Sequence, residues 1–333
     1  MSHALQTASG RDPRRVHKVA GAWLLVWAAL GPVALASCSE PKLGGPVARG
    51  EMVASAALGS GPDDLGAVTP EEANPEGPKS LAAANDERRV FVLDAVNDRI
   101  QVFEQARVTR QIPLPAGAFI DVAVLPNDRL ALLETEGKGR LVVIDEAGKS
   151  FNETVLEGIG VPHPELAGGM VARADGVWLG YRGRYTRVAD AQGASDPTRP
   201  MLAGLPTRDG KFIVSLSTQG TSLSVLKRER DGLPQNRLTT LHFEQPLIHT
   251  LAYDTDDAGN LYLITLHIWG KGSEQQAKTL LTVLSPELSE QKHLTLPTPQ
   301  SAFEVTRYAD ITRAGSVHYL DLSRTSALVR KFL

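Results

Sequence analysis

The chain has 333 residues, with 35 Lys and Arg against 38 Asp and Glu and a formal charge of −3. Without an excess of positive charge it lacks the electrostatic footprint of a nucleic-acid binder, so no nucleic acid is expected among its partners. A single cysteine excludes an internal disulfide, and 42% hydrophobic residues over this length are enough for a sizeable core.

In chain order, the first feature is a basic stretch, Arg11, Arg14, Arg15 and Lys18, followed by an apolar run from Val19 to about Leu30. His17 and Lys18 follow the arginine pair where a twin-arginine signal wants apolar residues, so this is an ordinary basic start to an export signal. The run ends in Leu35-Ala36-Ser37-Cys38. Those four residues resemble the lipobox of bacterial lipoproteins. The resemblance implies that residues 1–37 are a signal peptide, that Cys38 is acylated, and that lipid on Cys38 holds the protein to a membrane of the bacterial cell envelope. A lipoprotein cysteine bears two or three acyl chains, enough for stable anchoring. Ser39 in place of Asp favours the outer membrane. The competing reading is a transmembrane helix over the 19 uncharged residues Val19 to Ser37, which Gly31-Pro32 interrupts. Cleavage before Cys38 leaves 31 Lys and Arg against 37 Asp and Glu.

Residues 38–79 are rich in Gly, Pro, Ala, Ser and acids, a composition that buries too little apolar surface to offset its ordering entropy. They read as a flexible tether with a root-mean-square span of about 35 Å. Glu51 to Leu58 is its one apolar patch.

Residues 80–333 repeat. Leu81-Ala-Ala-Ala, Val90-Phe-Val-Leu-Asp94, Arg99-Ile-Gln-Val-Phe103 and Val108 to Leu114 are four strand-like runs separated by polar turns, and residues 121 to 145 follow the same order. Second strands begin at Val90, Leu130, Val177, Phe212, Leu261 and Val317, at intervals that fit propeller blades. The fold class is therefore all-β, a six-bladed β-propeller behind a signal peptide and tether. The sixth repeat supplies three evident strands before the chain ends, which leaves an unpaired edge open to aggregation. Part of residues 51–69 is expected to fill it.

The run Arg89-Val-Phe-Val-Leu-Asp-Ala-Val-Asn-Asp-Arg-Ile-Gln-Val-Phe103 is similar to the NHL repeat of six-bladed propellers. The motif is good in the first repeat and fair in the second, while repeats three to five keep only the strand and turn skeleton and Asp321 restores the aspartate in the last.

Two sets of residues are candidates for function. Aligned inner strands put Asp121, Thr250 and Asp310 at equivalent starts, with His249 beside Thr250, as a ring at one mouth of the axial channel. Such a funnel could take a divalent cation, as in related propeller lactonases, although a full Glu and Asn ligand set is missing. The alternative is that these polar groups solvate a water-filled channel. No other cofactor is expected. Asp254 to Asn260 reads as a hairpin turn rather than a calcium loop, Ser215, Ser217 and Ser222 lack an elbow pattern, and His242 and His318 lie in strand patterns.

The second set lies between second and third strands. Tyr181, Arg182, Arg184 and Tyr185 in the third repeat, and His267, Trp269 and Lys271 in the fifth, are of types that anchor interfaces. The alternative is that Trp269 folds over its own sheet and the tyrosines pack between blades. The expected function is a binding or scaffold module for an envelope protein or glycan. The alternative is a metal-dependent lactonase or lyase working in the funnel.

Overall fold

The computed structural model describes residues 46–69, 71, 74–231, 236–300 and 303–333. Cys38 and residues 1–37 lie outside them. Among the described residues no helix is long and apolar enough to cross a membrane.

Strand β1 (Glu51–Ala57) is followed by six groups of strands. The first sheet holds β2 (Ser80–Ala83), β3 (Arg89–Asp94), β4 (Arg99–Glu104) and β5 (Arg107–Pro113). The second holds β6 (Phe119–Val124), β7 (Leu130–Glu134), β8 (Arg140–Ile144) and β9 (Ser150–Val155). β10 (Ala167–Arg173), β11 (Gly176–Tyr181), β12 (Arg184–Ala189) and β13 (Met201–Leu202) make the third. The fourth is β14 (Leu205–Pro206), β15 (Phe212–Gln219), β16 (Ser222–Glu229) and β17 (Arg237–His242). The fifth is β18 (Leu247–Thr255), β19 (Leu261–Trp269), β20 (Gln276–Leu284) and β21 (Glu290–Leu296). The sixth contains β22 (Ala309–Ile311), β23 (Val317–Leu322) and β24 (Ser326–Phe332), with β1 on its outside. Each is a four-stranded antiparallel sheet, and together they form a six-bladed β-propeller.

Apolar alternation puts one row of side chains on each face of a strand, and neighbouring sheets bury those rows against each other. Phe91, Ile100 and Val102 of the first sheet meet Val122, Leu130 and Leu132 of the second. The same layering recurs between the second and third sheets and between the fifth and sixth.

The acid at the end of a second strand and the arginine opening the third brace the turn between them. Asp94 accepts from Arg99 Nε at 3.0 Å and from Asn97 Nδ2 at 2.9 Å. Glu134 and Arg140 form the same pair in the second sheet. Asp94 also accepts from the Gly66 amide at 2.8 Å. A Cβ at Gly66 would sit 2.5 Å from Val96 Cβ, so this close approach requires glycine.

The segment read from its composition as a tether lies on the propeller from its first described residues onward. Ala48 donates its amide to the Thr295 carbonyl at 2.8 Å beside β21. β1 pairs with β24 from Glu51 opposite Lys331 to Ala57 opposite Ser326. Beyond it, Arg99 Nη2 donates to the Gly61 and Asp64 carbonyls at 2.7 and 2.6 Å. Composition misses this because the segment's few apolar side chains, Ala54, Ala56 and Leu65, are buried in one cluster with the first and last sheets, with backbone pairing and Arg99 fixing the rest. At the seam of the first and last sheets, Glu87 accepts from Lys331 Nζ at 2.8 Å and from Ser316 Oγ at 2.9 Å. Burial works to raise the Glu87 carboxyl, but bonds to Lys331, Thr312 and Ser316 outweigh it and hold the group at about 2.

Candidate functional site

The inner strands β2, β6, β10, β14, β18 and β22 surround the axial channel, and two buried aspartates organise it. Asp121 on β6 is fully buried. Its Oδ1 accepts from Ser80 Oγ at 2.5 Å and from the Val122 amide at 2.9 Å. Its Oδ2 accepts from the Met170 amide at 2.9 Å and from Arg307 Nη2 at 2.7 Å. Arg307 also donates to the Met170 carbonyl. Burial would depress the Arg307 guanidinium, yet Asp121 and Asp310 beside it keep it above its ordinary value.

Asp254 on β18 plays the same part across the channel. It accepts from the Thr255 amide at 2.7 Å, from both terminal nitrogens of Arg173, and from Arg208 Nη2 at 3.0 Å. Arg173 is buried, which pushes its guanidinium down, and Asp254 offsets part of that. Arg208 adds bonds to the Thr255 carbonyl at 2.7 Å and to the Ile311 carbonyl. Between them the two carboxylates and three guanidinium groups reach all six sheets or the turns that enter them.

Asp310 joins this network from the edge: its Oδ2 accepts from the Ala83 amide at 2.8 Å, and its Oδ1 lies 4.0 Å from Arg307 Nη1. His249 and Thr250 do not join Asp121 and Asp310. His249 is exposed in a separate depression with Thr306 and Tyr308, and Thr250 pairs across β18 with Thr265. The expected single ring is corrected here. The physical reason is that β18 runs nine residues with two bulges, so its charged position comes at Asp254, further along than on β6.

A divalent cation needs convergent oxygen lone pairs. In this channel the carboxylates of Asp121 and Asp254 are already bound by guanidinium groups, which place positive charge where the ion would sit. Among the described residues no three His, Cys, Asp or Glu side chains come together as a metal site. The channel residues therefore do not fit such an ion.

The hairpin candidates divide. Tyr181 is buried in the layer between the second and third sheets. Tyr185 turns inward instead of outward. Its ring lies over Gly180, where a Cβ would come 3.5 Å from it, and its hydroxyl meets that of Tyr253 at 3.4 Å. Burial pushes both phenols up. His267 is buried too, with Nδ1 3.1 Å from the Gln245 carbonyl, Nε2 2.9 Å from Thr265 Oγ1, and its ring 4.6 Å from that of Phe243. These three residues are corrected from contact surface to interior. Each is amphipathic; Tyr185 and His267 have partners for their polar ends, while the Tyr181 hydroxyl is buried without a hydrogen-bond partner. Arg182, Arg184 and Lys271 are exposed, and Trp269 is half-buried. Trp269 shares with Phe243, Glu244, Gln245, His267 and Lys278 an open depression of about 160 Å³.

Asp254, Arg173, Arg208 and Arg307 escaped the sequence reading. The available signal was an arginine closing the otherwise apolar strand Met170-Val-Ala-Arg173 and a second following Leu205-Pro-Thr-Arg208, both at inner-strand positions.

No family model matches the chain, and no curated protein does. Several solved structures resemble it at low identity. Hydrazine synthase of Kuenenia stuttgartiensis is 13% identical with a TM-score of 0.48, over 76% of this chain and 80% of that one. Regucalcin, a calcium-binding protein from Agrobacterium tumefaciens, is 11% identical with a TM-score of 0.45, over 76% and 90%. The periplasmic gluconolactonase of Pseudomonas aeruginosa is 12% identical with a TM-score of 0.41, over 83% and 94%. Similarity at this level carries no argument about chemistry.

Proposed function

We propose that the protein is a lipid-anchored propeller of the bacterial cell envelope that acts as a binding module, taking a protein or glycan partner at the Trp269 depression of the fifth sheet. The observation that carries this reading is the contrast between the two cavities. In the channel the carboxylates of Asp121 and Asp254 and the guanidinium of Arg173 are each held by several hydrogen bonds within the fold, and Arg208 is tied down through Nε and Nη2. At the fifth sheet an indole stands half-exposed beside Phe243, with Glu244 and Gln245 at the rim, the combination of aromatic surface and a few polar groups that binding pockets use. Loss of an aromatic anchor from such a patch typically costs about 2 kcal/mol or more in affinity. Capture from detergent-solubilised envelopes on wild-type protein and on Trp269→Ala, with both variants melting alike, tests it. Equal recovery of the same material would overturn the assignment of the site.

A metal-dependent lactonase or lyase is the rival. It needs Asp121 released from Arg307 before that carboxylate could coordinate anything. Metal analysis of the purified protein addresses it: a stoichiometric divalent ion that disappears in Asp121→Asn would revive the enzyme.

A further inference from the structure

We infer that the outer edge of the fifth and sixth sheets, around Val47 and Met52, rests on the lipid surface to which Cys38 is anchored. The inference builds on the lipid anchor of the proposed function. Its geometric basis is where the chain first becomes fixed. Val47 bridges to Thr295 of β21, and the next residues lead directly into β1 on the edge of the sixth sheet. Cys38 stands nine positions before Val47. A link of that length spans at most roughly 30 Å fully extended. A folded body of this size has a radius of gyration of about 19 Å, hence a width of about 50 Å. The link is shorter than the body is wide, so it cannot carry Val47 around to the far side of the propeller, and the β1 edge stays within about 30 Å of the bilayer.

The surface at that edge suits the contact. Val47 is 55% exposed and Met52 49%, five residues apart, the first large exposed apolar side chains among the described residues. Around them exposed Arg49 is matched by exposed Glu51, and the cations opposite β1, Arg330 and Lys331, are paired with Asp321 and Glu87. A patch with apolar side chains and balanced charge fits a zwitterionic headgroup layer, such as phosphatidylethanolamine, better than a strongly anionic one.

The test uses the full acylated chain. With the Cys38 thiol blocked by its lipid, an introduced cysteine is the only one a fluorophore can label. Met52→Cys and, as the opposed control, Ile159→Cys are each labelled and reconstituted in phosphatidylethanolamine-rich vesicles carrying brominated acyl chains. Ile159 is 65% exposed between the second and third sheets, half a turn around the ring from Val47. Quenching several-fold stronger at Met52→Cys is expected, with Val47→Cys giving the same result should Met52→Cys weaken β1. Equal quenching at both positions, with acylation of Cys38 confirmed by mass, would overturn the docking while leaving the anchor intact and the edge open to another partner. A mass without acyl chains would overturn the anchor itself, and the docking with it.

Discussion

Arg307 and Asp121 stand 186 residues apart in sequence and 2.7 Å apart in space at the axis of the propeller, Asp121 fully buried and Arg307 largely so. The pair joins the entry to the last sheet to the inner strand of the second. Because Asp121 also takes the Ser80 hydroxyl and the Met170 amide, one carboxylate ties together the first, second, third and last sheets.

Removing one partner of a buried pair leaves the other charge desolvated and unmatched, which costs about 3–5 kcal/mol. Arg307→Ala and Asp121→Asn should each lower stability on that order in denaturant titrations. The double variant should lose much less than the sum, because neither charge is then stranded. Additive losses would show that the two groups act independently.

Deleting residues 46–58 removes β1 and leaves β24 with an open backbone edge. Such edges recruit other chains. The expected result is a melting temperature lower by several degrees together with dimers or larger species in size-exclusion chromatography. A monomer of unchanged stability would mean that β1 is dispensable for closure.

Acid should act on the closing seam in two stages. His318 is fully buried on β23 and neither ring nitrogen has a hydrogen-bond partner. Burial lowers its pKa below 6.5 despite Asp310, with Lys331 lowering it further and Glu87 and Glu51 opposing. The unfolded chain therefore binds more protons than the folded one just below pH 6.5, and stability falls as pH drops through that range. His318→Leu should flatten this loss. Glu87, held at about 2 against 4.5, contributes stability that is present above pH 4.5 and disappears on the way down to about 2. Glu87→Gln should remove that second stage, as followed by urea midpoints between pH 7 and pH 3. An unaltered pH profile in both variants would refute the assignment.

The architecture was legible because tight turns punctuate it. The second-strand starts inferred at Leu130, Phe212, Leu261 and Val317 coincide with those of β7, β15, β19 and β23, and those at Val90 and Val177 fall one residue inside β3 and β11. The channel was less legible for reasons that particular residues explain. Asp254 looked like the start of a turn because two bulges in β18 move the charged position along the strand, and bulges leave little trace in a single sequence. Arg173, Arg208 and Arg307 come from separate repeats and meet only once the ring closes. Tyr185 carried one clue, Gly180, since a glycine inside a strand often marks the close approach of another group. Tyr181 and His267 had the composition of an interface, which is also the composition of an amphipathic layer between sheets.

We propose that the partner engages the fifth-sheet depression and not the axial channel. Site-specific photocrosslinking in cells decides between them. A photoreactive amino acid replacing Lys271, which is exposed in the turn after Trp269, is compared with one replacing Arg313, which lines the channel mouth. A discrete crosslinked product is expected from position 271, lost when Trp269→Ala is added, and none from position 313. A crosslink confined to position 313 and indifferent to Trp269→Ala would contradict it.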